Sequence, residues 1–195
     1  MNILRLLISV TIFLSLNPHA AAQGVAPNFT PLPLWAPANV PGATFSVHWG
    51  LVETNKVYLV RSTNPAPQNN AWIAYLTPVT LPANCPNPKW TPTPLKSEQG
   101  GDFEVVYGLN CGSKIYLIKF SNRRNVSQFV SILATRDLGG VSATPTGWSP
   151  APIWTNPNPG GSFEVEYLFQ YSGKRYLFRL WDKPGSNPID VLDQR

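Results

Sequence analysis

Apolar and polar residues alternate in three blocks of this chain, and the three blocks share one pattern. Phe103-Glu104-Val105-Val106-Tyr107 is followed, after a short turn, by Lys114-Ile115-Tyr116-Leu117-Ile118-Lys119. The same order recurs as Phe45-Ser46-Val47-His48-Trp49 with Lys56-Val57-Tyr58-Leu59-Val60-Arg61, and as Phe163-Glu164-Val165-Glu166-Tyr167 with Lys174-Arg175-Tyr176-Leu177-Phe178-Arg179. Phe and Lys are 11 residues apart in every copy (45 to 56, 103 to 114, 163 to 174), a spacing that marks an internal repeat. Period-two alternation with β-branched and aromatic returning arms predicts a β-hairpin in each.

Folding each hairpin about a six-residue turn sets Phe45 opposite Val60, Val47 opposite Tyr58 and Trp49 opposite Lys56. It also sets Asp102 against Lys119 and Glu166 against Arg175, opposite charges at cross-strand distance. After each hairpin comes a further apolar run: Ala71–Leu76, Phe129–Leu133 and Ile189–Leu192. Before each comes a tryptophan, a proline and a glycine: Trp35-Ala36-Pro37 with Gly42, Trp90-Thr91-Pro92 with Gly100, and Trp154-Thr155-Asn156-Pro157 with Gly160. Proline removes a ladder donor and glycine supplies the turn, so these read as loop or edge segments.

The repeat therefore spans approximately 34–82, 89–138 and 153–195, within one domain. No single copy is large enough to bury its own core, so the copies must pack on one another. The expected fold is all-β with three repeats about a pseudo-threefold axis. By fold-level analogy that is the plan of a β-trefoil, and a three-sheet prism or a compact string of small barrels would satisfy the same pattern. The in-phase residues Phe45, Phe103, Phe163, Val47, Val105, Val165, Tyr58, Tyr116 and Tyr176 are the expected core.

Composition agrees with this class. Only 13% of residues are charged, against 43% hydrophobic, and 21 Pro and 14 Gly cut the chain into short pieces. The first residues break the repeat: Arg5, an apolar run from Leu6 to Leu16, Pro18 and Ala20-Ala21-Ala22 follow the order of a secretory signal peptide. Residues 1–22 are expected to be a leader cut after Ala22, with the domain at 23–195 and the protein secreted, or periplasmic in a bacterium. The apolar run is too short to span a bilayer, and no membrane span is expected elsewhere.

Without the leader, 14 basic and 10 acidic residues leave a net charge of +4, scattered and not gathered into a run. A nucleic-acid partner is not expected. In an exported chain Cys85 and Cys111 can pair as a disulfide, closing a span of 26 residues (85 to 111). Asn28-Phe29-Thr30 and Asn125-Val126-Ser127 are glycosylation sequons, used at Asn28 and Asn125 only in a eukaryotic host.

Catalytic chemistry has little to draw on. His48 is the one histidine beyond the leader, no GxSxG, HExxH or phosphate-binding glycine loop occurs, and Glu104, Glu164 and Glu166 sit where they would pair with Lys or Arg. No cofactor or metal is expected. For binding, Trp35, Trp90, Trp148 and Trp154 lie in Pro/Gly surroundings where they could stack on sugar rings. Lys56, Lys114 and Lys174 recur at the hairpin mouths, where each would lie beside Trp49, Tyr107 or Tyr167 as a cation on an aromatic platform.

The sequence therefore predicts a secreted, non-enzymatic binding protein, lectin-like, with a glycan or cell-surface polysaccharide as partner. The alternative is a protein-binding β scaffold such as a protease inhibitor, with Thr91-Pro92-Thr93-Pro94-Leu95-Lys96 as its preorganised loop. A structural envelope or matrix role is the third reading.

Overall fold

A computed structural model describes residues 28–35, 45–64, 73–98, 103–123, 128–140, 147–156, 162–182 and 187–195. The expected leader (1–22), Asp102 and Asn125 lie outside them. The described residues form strands and no helix. In chain order the strands are β1 (Phe45–Glu53), β2 (Lys56–Asn64), β3 (Ile73–Tyr75), β4 (Val79–Thr80), β5 (Lys89–Trp90), β6 (Lys96–Glu98), β7 (Glu104–Cys111), β8 (Lys114–Ser121), β9 (Val130–Asp137), β10 (Gly147–Trp148), β11 (Trp154–Asn156), β12 (Glu164–Tyr171), β13 (Lys174–Trp181) and β14 (Ile189–Gln194).

Three antiparallel sheets result, one per repeat. The first is β1-β2-β3 with β4 also on β2, the second β5-β7-β8-β9 with β6 also on β7, and the third β10-β12-β13-β14 with β11 also on β12. The hairpins are present, but their turns have two residues and not six. Glu53 pairs with Lys56, Cys111 with Lys114 and Tyr171 with Lys174. Phe45 thus faces Asn64, Val47 faces Ser62 and Trp49 faces Val60, a shift of four from the expected pairing. An even shift leaves every side chain on its expected face. The expected Glu166–Arg175 pair is replaced by Glu166 opposite Arg179, with Arg179 Nη2 3.0 Å from Glu166 Oε1. Val106, and not Asp102, faces Lys119.

The reason lies at the turns. Thr54, Gly112 and Ser172 occupy the same turn position at φ 57°, 59° and 50°, so the chain reverses there in a tight left-handed step. Gly50 and Gly108, which read as turn residues, are strand glycines at close approaches. A Cβ on Gly50 would lie 2.5 Å from Phe120 and 2.7 Å from the Thr30 methyl; one on Gly108 would lie 2.7 Å from the Thr91 methyl.

The Pro-rich segments are part of the repeat. Phe29-Thr30-Pro31-Leu32-Pro33-Leu34-Trp35, Trp90-Thr91-Pro92-Thr93-Pro94-Leu95-Lys96 and Trp148-Ser149-Pro150-Ala151-Pro152-Ile153-Trp154 share one pattern. In each, the hydroxyl donates to the carbonyl two residues on: Thr30 to Leu32 and Thr91 to Thr93 at 3.0 Å, Ser149 to Ala151 at 2.8 Å. The backbone N–H of Thr30, Thr91 and Ser149 donates to Gly50, Gly108 and Leu168, and that of Leu34, Leu95 and Ile153 to His48, Val106 and Glu166. Each segment forms a broken edge beside the first hairpin arm, the prolines falling where no ladder donor is needed.

This alignment corrects the expected equivalence of the tryptophans. Trp90 corresponds to Trp148 and Phe29, and Trp154 corresponds to Trp35 and Lys96. It also exposes a compensation. Where the edge residue is Thr, with a methyl, the strand residue against it is Gly; where it is Ser149, the strand carries Leu168. Gly108→Ala should destabilise the protein by about 1–3 kcal/mol through overpacking. The Thr91→Ser change, which removes that methyl, should recover much of the loss in a double-mutant cycle read by urea denaturation. Strictly additive losses would break the argument.

Each sheet has two faces, here called front and back. The back of the first sheet (Leu34, Val52, Val57, Leu59) shares a core with the front of the second (Phe103, Val105, Tyr107, Leu109, Tyr116, Ile118, Phe120, Val130). The back of the second (Leu95, Val106, Ile115, Leu117) shares another with the front of the third (Phe163, Val165, Tyr167, Phe169, Tyr176, Phe178, Leu180, Ile189). Strands β2 and β4 lie against β9, and β10 and β14 against β5 and β9. The described sheets are therefore stacked in series, the middle one shared by both cores, and among the described residues no core common to all three sheets is formed. Among the expected core residues, Phe103, Val105, Tyr116, Phe163, Val165 and Tyr176 are buried, whereas Val47 and Tyr58, on the front of the first sheet, are half-buried.

Candidate functional site: the outer faces of the stack

The tryptophans divide by position in the stack. Trp90 is buried, its ring 6.0 Å from Tyr107 and from Phe120, and its Nε1 donates to the Asn28 carbonyl at 3.2 Å. Trp148 is half-buried with its ring 4.6 Å from Phe169, and its Nε1 donates to the Lys89 carbonyl at 3.0 Å. In both cases the indole pins one repeat to the edge of the repeat before it. Trp35 is half-buried with its ring 5.7 Å from His48. Trp154 alone of the four presents an exposed ring, at 43%.

The three lysines flank the tight turns and do not lie beside Trp49, Tyr107 and Tyr167. Lys56 and Lys174 are exposed, and Lys114 reaches Asp137 at 3.9 Å. Tyr107 and Tyr167 are fully buried, and burial raises the pKa of both hydroxyls. Among the described residues, Arg179 lies over a ring, 5.6 Å from the centre of Trp181.

The carboxylates are engaged as the sequence suggested. Glu104 is bonded by Lys96 at 3.1 Å and flanked by Lys119 and Arg123, Glu98 pairs with Lys96 and Arg123, and Arg179 bridges Glu164 and Glu166 at 3.0 Å. Burial works against the charge on Lys96, but its hydrogen bonds to Glu98 and Glu104 outweigh that and raise its pKa. In the Thr91–Lys96 loop, Leu95 is buried beneath the third sheet and Lys96 is held in this network.

Cys85 and Cys111 form the expected disulfide, with Cα atoms 4.9 Å apart. Asn28 is half-buried and Thr30, the hydroxyl residue of its sequon, is fully buried. No group of three or more His, Cys, Asp or Glu among the described residues could hold a metal, and no described helix could cross a membrane.

His48 is buried between Trp35 and Phe103, the second ring 5.1 Å away, and its pKa falls to about 4, through burial first and the Arg61 charge second. In the unfolded chain a histidine titrates near its ordinary value of 6.5, so the unfolded state takes up the proton first. Stability should therefore be complete above that value and decline as pH falls toward 4. His48→Gln should flatten the decline, measured as the urea midpoint between those pH values; an unchanged slope would show that other groups cause it.

Among the described residues, Leu32, Leu133 and Leu192 are exposed singly, and the most exposed large apolar side chains lie at the two ends of the stack. On the front of the first sheet, the edge-strand residues Ile73 and Tyr75 are 59% and 54% exposed, with Tyr75 edge-on to Tyr58 at 5.5 Å, whereas Leu51 and Val60 on the central strands of that face are buried. On the back of the third, Ile153 is 56% and Leu168 45% exposed. Beside Leu168 a cleft of about 260 Å³ is lined by Gly147, Trp148, Ser149, Leu168, Phe169, Gln170 and Arg175. Sequence reasoning had missed these faces, because alternation marks which residues turn inward but not which sheet, if any, will cover them. Compared with known protein families, characterised proteins and solved structures, the chain matches no family model, no protein and no structure.

Proposed function

We propose that this chain is an exported, non-enzymatic binding protein that holds another protein against the outer faces of its sheet stack. The observation that carries this reading is the exposure of Ile73, Tyr75, Ile153 and Leu168 on two sheet faces, since clustered apolar surface of that kind marks protein contact. Flat faces of aliphatic and aromatic side chains suit a protein surface better than a small polar ligand. The apolar run Leu6–Leu16 before Ala20-Ala21-Ala22, which follows the order of a leader, and the Cys85–Cys111 bridge support export, because disulfides persist in oxidising compartments. The carboxylates held by Lys and Arg support a binding role over acid–base chemistry.

A carbohydrate or cell-surface polysaccharide is the second reading, favoured by the exposed ring of Trp154. A binding screen of the oxidised protein against arrays of extracellular proteins and of glycans separates the two, with Ile153→Asp and Trp154→Ala alongside. Protein binding lost in Ile153→Asp is the expected result. Glycan binding lost in Trp154→Ala, with no protein bound, would overturn it in favour of the second reading.

A further inference from the structure

The two ends of the stack have the features of the two sides of one junction. Each internal junction seats the back of one sheet on the front of the next, and the same residue positions meet both times. Val130 and Ile189, on the covered fronts of the second and third sheets, are 0% exposed; their counterpart on the edge strand of the first sheet, Ile73, is 59% exposed, so the open part of that front is its β3 side, Leu51 and Val60 being buried. Leu34 and Leu95, on the covered backs of the first and second sheets, are 1% and 7% exposed; their counterpart on the third, Ile153, is 56% exposed.

Side-chain volumes at the ends also match. At the first junction Gly50 faces Phe120, and at the second Gly108 faces Leu180 and Trp148. A small back residue thus receives large front residues. On the back of the third sheet the corresponding residue is Leu168, which is large. On the front of the first sheet, the residue in the place of Phe120 and Leu180 is Ser62, and in the place of Trp90 and Trp148 it is Phe29, both smaller. Bulk has moved from one side of the junction to the other, and the sum is kept.

From this we infer that copies of the chain associate head to tail, the back of the third sheet seating on the front of the first sheet of a second copy. The proposal rests on the protein-binding reading and names its partner. Leu168 then packs against Ser62 of the next copy, and the Phe29 ring enters the cleft beside Trp148, where a following repeat would place its tryptophan. The contact is heterologous, so it builds an open array or a ring and not a closed twofold dimer. Such an array is what an envelope or matrix role would use.

The test is sedimentation velocity of the oxidised full chain over a hundredfold concentration range, with Ile73→Asp (front blocked) and Leu168→Asp (back blocked). Both residues are exposed, so both variants should keep the wild-type circular dichroism and melting temperature. The wild type should rise in mean mass at least about twofold with concentration. Each variant alone should stay monomeric, and an equimolar mixture should form one-to-one dimers, because each supplies the face that the other lacks. A wild type that stays monomeric throughout would overturn self-association while leaving binding of a different protein, read from the array with Ile153→Asp, as a separate result. A variant that assembles with itself would overturn the head-to-tail geometry.

Discussion

Replacing Trp90 by alanine should cost about 3–5 kcal/mol of folding stability, the range for deleting a large buried ring. The residue is only 7% exposed, its ring meets Tyr107 and Phe120, and its indole N–H holds the Asn28 carbonyl. The substitution therefore removes a core contact and one of the links between successive repeats, and leaves a cavity where the first two sheets meet. Urea denaturation followed by tryptophan fluorescence and circular dichroism reads the loss. A change below about 1 kcal/mol, within the range of surface substitutions, would return Trp90 to the surface and with it the idea of a sugar-stacking loop.

Removing the disulfide by a paired Cys85→Ala and Cys111→Ala change should cost roughly 3 kcal/mol, from the loop entropy that the bridge takes from the unfolded chain. The bridge joins two sheets. Cys85 N–H donates to the Thr54 carbonyl and Leu81 N–H to the Asn55 carbonyl, both at 2.7 Å, so the segment around Cys85 is fastened to the first hairpin's turn; Cys111 ends the first arm of the second hairpin. The corresponding residue of the third hairpin is Tyr171, whose hydroxyl donates to the Gly140 carbonyl at 2.9 Å, so that junction is held by packing and hydrogen bonds without a covalent bridge. Denaturation with and without reductant should give the same loss in the wild type and none in the double variant. Equal stability of oxidised and reduced wild type would show that the bridge constrains nothing.

Much of the architecture was legible in the chain. The hairpins, the third strand of each sheet and the Cys85–Cys111 pairing followed from alternation, spacing and cysteine count, because side-chain period and register are local properties. The turn length differs because Gly50 and Gly108 fall inside the six residues assigned to the turn, whereas each is a strand glycine kept small by its neighbours Phe120 and Thr30 or Thr91. The Trp90-Thr91-Pro92 segment reads as loop or edge and forms an edge, but the equivalent edges at 29–34 and 148–153 are not apparent when the tryptophans 35, 90 and 154 are aligned. Yet the aromatic–hydroxyl–Pro–x–Pro–aliphatic pattern at 29–34, 90–95 and 148–153 was present in the sequence. Its phase would have shown that Trp90 answers to Trp148 and Phe29. The order of stacking was not legible: Leu59 and Leu117 read alike in sequence, and only the fold shows that one meets the second sheet and the other the third. The binding reading suffered most, since the tryptophans that suggested it at 90 and 148 are fastenings of the stack, and the open surface is carried by Ile73, Tyr75, Ile153 and Leu168.

The stacking in series is tested most directly by nuclear Overhauser contacts between labelled methyl groups and aromatic rings. Cross-peaks should link Val57 and Leu59 with rings of the second sheet such as Tyr116 and Phe120, and Ile115 and Leu117 with rings of the third such as Tyr167 and Phe178. No cross-peak should join Leu59 to Phe178. Contacts between the first and third sheets through a common centre would instead establish a closed threefold and contradict the account.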